Sequence, residues 1–146
     1  MTTLLGIVAT LAAGLFAGAA VYISLVEHPA RVSCGFEVAL REFRPSYGRA
    51  AVMQATLALV GTVAALARFA GGGHAGWLVG GLLLVSAIPF TLVVIKPTNT
   101  QLLDVSLDLK PADALALLAR WGRLHAIRSA ASLAALIIFL ALLPLG

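Results

Sequence analysis

Four stretches of this sequence are almost entirely apolar, and each is long enough to cross the hydrocarbon core of a bilayer. They lie at residues 4–26, 48–69, 76–95 and 124–143. A membrane-spanning α-helix needs about 20 predominantly apolar residues, and only helices or closed barrels satisfy their backbone groups in lipid. Hydrophobic residues make up 61% of the chain and charged residues 11%, more apolar surface than a soluble domain of this length can bury. The sequence predicts an all-α integral membrane protein in which residues 1–146 form a single four-helix bundle.

The first loop is predicted to be polar and partly helical. Glu27-His28-Pro29 follows the first span, and a proline disfavours the α conformation of the residue before it, so we expect the span to end here. Residues 30–47 are rich in Arg and Glu and include Pro45-Ser46 near their end. This pattern predicts a short interfacial helix or an ordered loop.

The third loop is predicted to contain a second short helix. Pro97 is expected to end the third span, and Thr98 or Asn99 to cap a helix that continues to about residue 109. Pro111 is expected to begin the next helix, since proline is accepted in a first helical turn.

Two pairs of glycines are spaced for close helix packing. Gly14 and Gly18 lie in the first span, and Gly76 and Gly80 lie in the third. Small residues four positions apart let membrane helices approach one another closely. We therefore expect both glycine pairs to contact neighbouring helices.

The basic residues are distributed unevenly among the loops. Nine of the ten Lys and Arg residues lie in or beside the first and third loops, and Arg68 lies in the second. The positive-inside rule places both charged loops in the cytoplasm and both termini outside, and we expect a bacterial-type inner membrane. This topology explains the formal charge of +4, and no nucleic-acid partner is expected.

Trp121, His125 and Arg128 form the most informative polar pattern. They recur at i, i+4 and i+7, which places them on one face of a helix. The apolar run of the fourth span begins beside them, and an ionisable group at membrane depth indicates a functional site.

The predicted topology brings further polar residues to the level of this stripe. Glu27 and His28 end the first span, Arg49 and Gln54 lie at the start of the second, and Asn99 follows the third. A four-helix bundle can build a site in its core from such facing side chains.

Three of these residues are candidates for catalysis. His125 is of a type that takes and returns a proton as a general base. Arg128 and Asn99 can stabilise negative charge that develops on a substrate oxygen. The structural alternative is a histidine bonded to a carbonyl and an arginine that extends to the headgroups.

Three others are candidates for substrate binding. Trp121 offers a flat apolar wall for an aromatic ligand, and Gln54 and Arg49 offer polar contacts. The alternative for Trp121 is membership of an interfacial aromatic belt. A buried Gln54 can equally bond to a neighbouring helix.

A metal site is a further hypothesis. Glu27, His28 and His125 combine carboxylate and imidazole ligands, which suit iron, copper or zinc. The alternative is an ion pair from Glu27 to Arg128 or Arg49. The cofactor prediction is therefore either none or a single iron or copper ion.

The chain resembles the small four-span membrane proteins grouped with fungal anthrone oxygenases. The resemblance rests on Glu27-His28-Pro29-Ala30 after a Gly-rich span, on Pro89-Phe90-Thr91 to Pro97-Thr98-Asn99, and on Trp121-x-x-x-His125-x-x-Arg128. It implies oxidation of an aromatic, polyketide-like substrate by dioxygen. It also implies that His125 is the catalytic residue, with Asn99, Trp121 and Arg128 as neighbours. The expected partners are a lipophilic aromatic molecule and the bilayer.

Two other functions remain open at this stage. A small proton-coupled transporter or ligand-binding membrane protein would use Glu27 and His125. A structural membrane subunit would use the same polar cluster to fix packing. Assembly into a homo-oligomer is also left open.

Overall fold

The computed structural model describes residues 2–145, without the side chain of Leu145, and confirms an all-α fold. Within residues 2–145 there are no strands and four long helices: α1 (Thr2–Ser33), α2 (Phe36–Ala70), α3 (Gly76–Leu103) and α4 (Pro111–Leu142). Each is long and apolar enough to cross a membrane, so the chain is an integral membrane protein. A 3₁₀ turn, Leu143–Leu145, follows α4.

Each helix packs mainly against two neighbours. α1 lies against α2 and α4, and α3 lies against the same two helices. Short connections make consecutive helices antiparallel. Two clusters of buried side chains fill the core. The large members of the first are Phe16, Trp77, Leu84 and Phe139, and those of the second are Ile23, Phe43, Ile95, Leu102, Leu118 and Trp121.

α1 and α3 each contain a π-helical turn shortly before a proline. Ile23–Glu27 precedes Pro29, and Thr91–Ile95 precedes Pro97. In both, the residue just before the proline donates its backbone N–H to the carbonyl five residues back. The wider turn makes room for the proline ring, which would clash with a carbonyl in a regular α-helix. The prediction that Pro29 and Pro97 end their spans is therefore wrong, because both helices continue past them.

The first connection is much shorter than predicted and centres on Cys34-Gly35. Most of residues 30–47 belong to the end of α1 and the start of α2 rather than to a separate helix. Gly35 has a φ of 91°, which glycine adopts without strain. Pro45 lies inside α2 on its exposed side, while Phe43 faces the core.

The third connection differs from its prediction in a similar way. Thr98 and Asn99 lie inside α3, which ends at Leu103, so neither caps a helix. The Asp104 carboxylate accepts hydrogen bonds from the Ser106 hydroxyl at 2.6 Å and backbone N–H at 2.8 Å. These bonds lower the pKa of the Asp104 carboxyl. Pro111 begins α4, as predicted.

The close approach of α3 and α4 depends on the predicted glycines. A Cβ atom on Gly80 would lie 2.4 Å from Phe139, and one on Gly76 would lie 2.7 Å from Leu142. These separations leave no space for a methyl group. The prediction for the third span is confirmed.

The corresponding prediction for the first span is confirmed only in part: the small residues Ala13 and Ala17 beside its glycines are buried, but the glycines themselves make little contact. A Cβ atom on Gly18 would meet nothing within 4 Å, and one on Gly14 would meet only Leu136, at 3.6 Å. α1 instead approaches α2 at Gly61, where an added Cβ would lie 3.1 Å from that of Ala12.

Candidate active site

A cavity of about 180 Å³ lies where the two buried clusters meet. All four helices contribute to its wall, which is mainly apolar and carries a few polar groups. Such a composition is typical of small-molecule sites. The polar and aromatic lining residues are Phe16, Glu27, Arg31, Phe43, Ser46, Tyr47, Gln54, Thr91, Trp121, His125 and Arg128.

His125 lies in this wall at the end of a chain of hydroxyl groups. It is 2% exposed, and its Nδ1 atom lies 3.1 Å from Ser24 Oγ. Ser24 Oγ lies 2.9 Å from Ser129 Oγ. Ser129 Oγ in turn lies 3.0 Å from the carbonyl oxygen of Ala20 and 3.1 Å from that of His125.

One assignment of these hydrogen bonds places the proton of His125 on Nδ1. In this assignment Ser129 donates its single hydroxyl proton to one of the two carbonyl oxygens, which only accept. Ser24 then donates to Ser129 and accepts from His125 Nδ1–H. In the neutral imidazole the other nitrogen, Nε2, therefore keeps a lone pair. No described residue hydrogen-bonds to Nε2, so it remains available to a cavity ligand.

Trp121 lies against His125 and belongs to a second chain of hydrogen bonds. The two rings stack with centroids 4.7 Å apart. Trp121 Nε1 donates to Asn99 Oδ1 at 2.9 Å, and Asn99 Nδ2 donates to Tyr47 Oη at 2.7 Å. Tyr47 and Trp121 line the cavity, whereas Asn99 lies behind them and is not part of the lining.

Arg128 and Gln54 form a buried polar pair on the same wall. Arg128 Nη2 donates to Gln54 Oε1 at 2.8 Å, and its guanidinium lies 5.7 Å from the Phe16 ring centroid. Gln54 is 2% exposed, and its Nε2 amide group has no partner among the described residues. Both residues line the cavity, while the unpaired Gln54 Nε2 atom itself is buried beside it.

A charged cluster lines another part of the cavity. Arg31 is buried and forms ion pairs with Glu27 and with Glu42, the latter at 2.6 Å between Nε and Oε2. Its guanidinium also lies 5.5 Å from the Phe43 ring centroid. The Glu27 carboxylate is therefore paired with Arg31. The sequence-based alternative, an ion pair from Glu27 to Arg128 or Arg49, is wrong.

His28 lies beside the cavity wall without lining it. Its ring contacts Trp121 with centroids 5.0 Å apart. Its Nε2 atom occupies the space that a Cβ on Gly122 would need, at 2.7 Å. Gly122 therefore makes room for the His28 imidazole, and α4 is continuous through it.

The structure does not gather the proposed metal ligands. No group of three His, Cys, Asp or Glu side chains suited to a metal occurs within residues 2–145. Trp121 contacts both His28 and His125, and Glu27 is paired with Arg31. The three-residue site of Glu27, His28 and His125 is therefore a wrong prediction.

Arg49 was predicted to bind the substrate, and this prediction is also wrong. The cavity-lining positions of α2 begin at Phe43 and recur every three or four residues through Tyr47, Ala51 and Gln54. Arg49 falls outside this face and is exposed, because a helix turns about 100° per residue. It is not part of the cavity lining.

The sequence analysis missed several residues of the site. Tyr47 and Phe43 share the Gln54 face of α2, so helical spacing from Gln54 would have found them. Ser24 and Ser129 lie in apolar runs and were not predicted. Helical spacing could have identified Ser129, because it is four residues after His125.

The fold and the cavity define a class: a four-helix integral membrane protein with an aromatic-lined internal site. Comparison with known sequences identifies the family within that class. The anthrone oxygenase family profile matches residues 43–138, which include Tyr47, Gln54, Asn99 and the Trp121–Arg128 stripe. The chain belongs to the anthrone oxygenase family, which indicates an oxygenase-type function.

One curated relative is the anthrone oxygenase tpcL of Aspergillus fumigatus. It is 34% identical over 77 residues, which cover 51% of this chain and 48% of the relative. The match thus spans about half the length of that protein. No significant match to a solved structure was found.

Proposed function

We propose that the chain is a membrane-embedded oxygenase that oxidises a lipophilic, anthrone-like aromatic molecule with dioxygen, with His125 as the general base. The observation that carries this proposal is the chain from His125 Nδ1 through Ser24 and Ser129. It leaves the lone pair of Nε2 for the substrate, in a cavity with an aromatic wall. Family membership is its second support.

The chemistry of an anthrone fits a single base of this kind. The methylene of an anthrone is acidic because its anion is an enolate that extends over the rings. His125 Nε2 takes one methylene proton, and dioxygen bonds to the resulting electron-rich carbon. The proton returns to the peroxide, which loses water as the second hydrogen leaves. One oxygen atom ends in a new ketone and the other in water, and the substrate supplies all four electrons.

Arg128 and Gln54 are the groups proposed to hold the substrate oxygen. Deprotonation places negative charge on that oxygen, and donors already in position stabilise such charge most strongly in a site without water. Gln54 lines the cavity, its amide nitrogen has no partner among the described residues, and Arg128 keeps the amide oriented. Asn99, predicted for this role, is instead occupied by Trp121 and Tyr47.

The proposed route of substrate access is lateral, from the bilayer. The wall between α2 and α3 is formed by Ala51, Ala55, Ile88 and Leu92. The Leu92 side chain is 61% exposed on the outside of the bundle. A flat apolar molecule dissolved in lipid would meet only small or apolar side chains there.

The experiment that tests the function is oxygen uptake with an anthrone on purified protein in lipid nanodiscs. We expect uptake of one dioxygen per quinone formed, and a decrease of roughly 10²- to 10⁴-fold for His125→Ala, the usual contribution of a general base. The matched control is His74→Ala, because His74 is exposed in the second loop. Chelator-treated protein is assayed in parallel, and we expect it to keep its rate because the proposed base-assisted reaction of the enolate with dioxygen uses no metal.

Three results would contradict the proposal. The unaltered protein could be no faster than empty nanodiscs, or His125→Ala could retain its rate while correctly folded. Loss of rate after chelation, restored by iron or copper, would replace base-assisted oxygenation by metal chemistry.

A further inference from the structure

Tyr47 carries a hydroxyl proton for which the described part of the chain offers no acceptor. The direction of the neighbouring hydrogen bonds establishes this. The indole of Trp121 is a donor only, so the atom of Asn99 that faces it at 2.9 Å must be the oxygen. Reversing the amide would set two N–H groups against each other.

The amide nitrogen of Asn99 therefore faces Tyr47, at 2.7 Å from Oη. An amide nitrogen only donates, so the Tyr47 oxygen is the acceptor in this bond. The Tyr47 proton must then point elsewhere, and no described residue accepts it. Tyr47 lines the cavity, so a cavity ligand is the candidate acceptor for this proton.

The ring of Tyr47 is fixed by packing that does not involve its hydroxyl. It stacks on Phe43 with centroids 5.6 Å apart and an interplanar angle of 17°. The ring of Phe43 in turn lies perpendicular to that of Trp121, with centroids 5.1 Å apart. The donor is thus held in place before any ligand arrives, which reduces the entropic cost of binding.

Tyr47 and Gln54 are two separate donors on one helix face. They are seven residues apart on α2, and both line the cavity. Two helical turns correspond to about 10 Å along the axis. A ligand that meets both donors must carry acceptor oxygens at two distinct positions.

We propose that Tyr47 is a specificity-determining residue that donates a hydrogen bond to a ketone or phenol oxygen of an aromatic ligand, at a position distinct from the Gln54 and Arg128 pair. This inference deepens the proposed function and rests on it for the class of ligand. Tyr47 thereby distinguishes oxygen-bearing aromatic molecules from hydrocarbons of the same shape.

The test compares two probes of similar shape, anthraquinone and anthracene, by quenching of tryptophan fluorescence in nanodiscs of fixed lipid content. The unaltered protein should bind anthraquinone more tightly. In Tyr47→Phe, anthraquinone affinity should fall roughly five- to tenfold, as expected for one hydrogen bond, while anthracene affinity stays the same. The matched control is Tyr22→Phe, because Tyr22 is exposed on α1. Loss of ring packing alone would weaken both probes equally and leave their ratio unchanged.

The outcomes separate this inference from the proposed function. An unchanged affinity ratio in Tyr47→Phe, or no preference for anthraquinone in the unaltered protein, overturns the role of Tyr47. Binding requires no turnover, so the ratio can change even if oxygen uptake fails. Oxygen uptake with an unchanged ratio would leave the oxygenase proposal standing and remove Tyr47 from it.

Discussion

The two chains of hydrogen bonds around Trp121 and His125 have opposite chemical consequences. The His125 chain ends at backbone carbonyls, which can act only as acceptors. The Trp121 chain begins at an indole N–H, so its protons point through Asn99 towards Tyr47. One chain thus leaves a lone pair in the cavity and the other leaves a proton. The proposed base, His125, and the proposed donor, Tyr47, line the same cavity.

Ser24→Ala tests the His125 chain. Without the Ser24 hydroxyl, Nδ1 loses the group that accepts its proton, and the tautomer with a free Nε2 lone pair loses its preference. One neutral hydrogen bond contributes about 1 kcal/mol, so we expect turnover of an anthrone to fall roughly fivefold. The measurement is the rate of quinone formation at saturating substrate.

The control for this variant is Ser33→Ala. Ser33 is exposed at the end of α1 and bonds only to the Ala30 carbonyl. It should keep the full rate. A Ser24→Ala protein as active as Ser33→Ala would show that Ser24 does not orient His125.

The sequence correctly predicted which residues share a wall of the cavity where they lie on one face of a single helix. The spacing of Trp121, His125 and Arg128 correctly brought them to one wall, and Gln54 joined them. The partners of His125 could not be found in this way, because Ser24 reaches it from another helix and lies in an apolar run. Contacts between helices depend on rotation about each axis, which composition does not reveal.

At the level of helices, the prolines were misread because their local preference was considered without the surrounding bundle. Pro29 and Pro97 were expected to end their spans, yet π turns carry α1 and α3 past them. The two turns supply Ile23, Glu27, Thr91 and Leu92 to the cavity wall. π turns are frequent at functional sites. In this protein the same two π turns accommodate a following proline and contribute residues to the cavity wall.

Gly80→Ala tests the contact between α3 and α4. The added methyl group would lie 2.4 Å from Phe139, whose ring also stacks on Trp77. Overfilling a packed core costs about 1–3 kcal/mol. The midpoint of thermal unfolding in detergent should therefore fall by several degrees. The control is Gly18→Ala, where an added Cβ meets nothing within 4 Å. Equal midpoints for the two variants would contradict the packing described for Gly80.

At the level of the whole molecule, hydrophobicity and length were sufficient to predict four helices. The helices extend beyond the apolar runs because charged boundary segments keep the helical conformation, as residues 36–47 do in α2. The ends of the apolar runs are therefore not boundaries of secondary structure in this fold. Orientation in the membrane depends on a different property, the distribution of Lys and Arg among the loops.

The proposed orientation has a direct test because Cys34 is the single cysteine of the chain and is exposed between α1 and α2. If the first loop is cytoplasmic, a membrane-impermeant maleimide should label Cys34 in inverted vesicles and leave it unlabelled in intact cells. A matched protein carries Cys34→Ser with Ala75→Cys, which moves the thiol to an exposed position in the second loop. It should give the opposite pattern, because one span separates the two loops. Labelling of Cys34 in intact cells would reverse the orientation and place the Arg31 end of the cavity outside. The basic loops would then lie outside, contrary to the positive-inside rule.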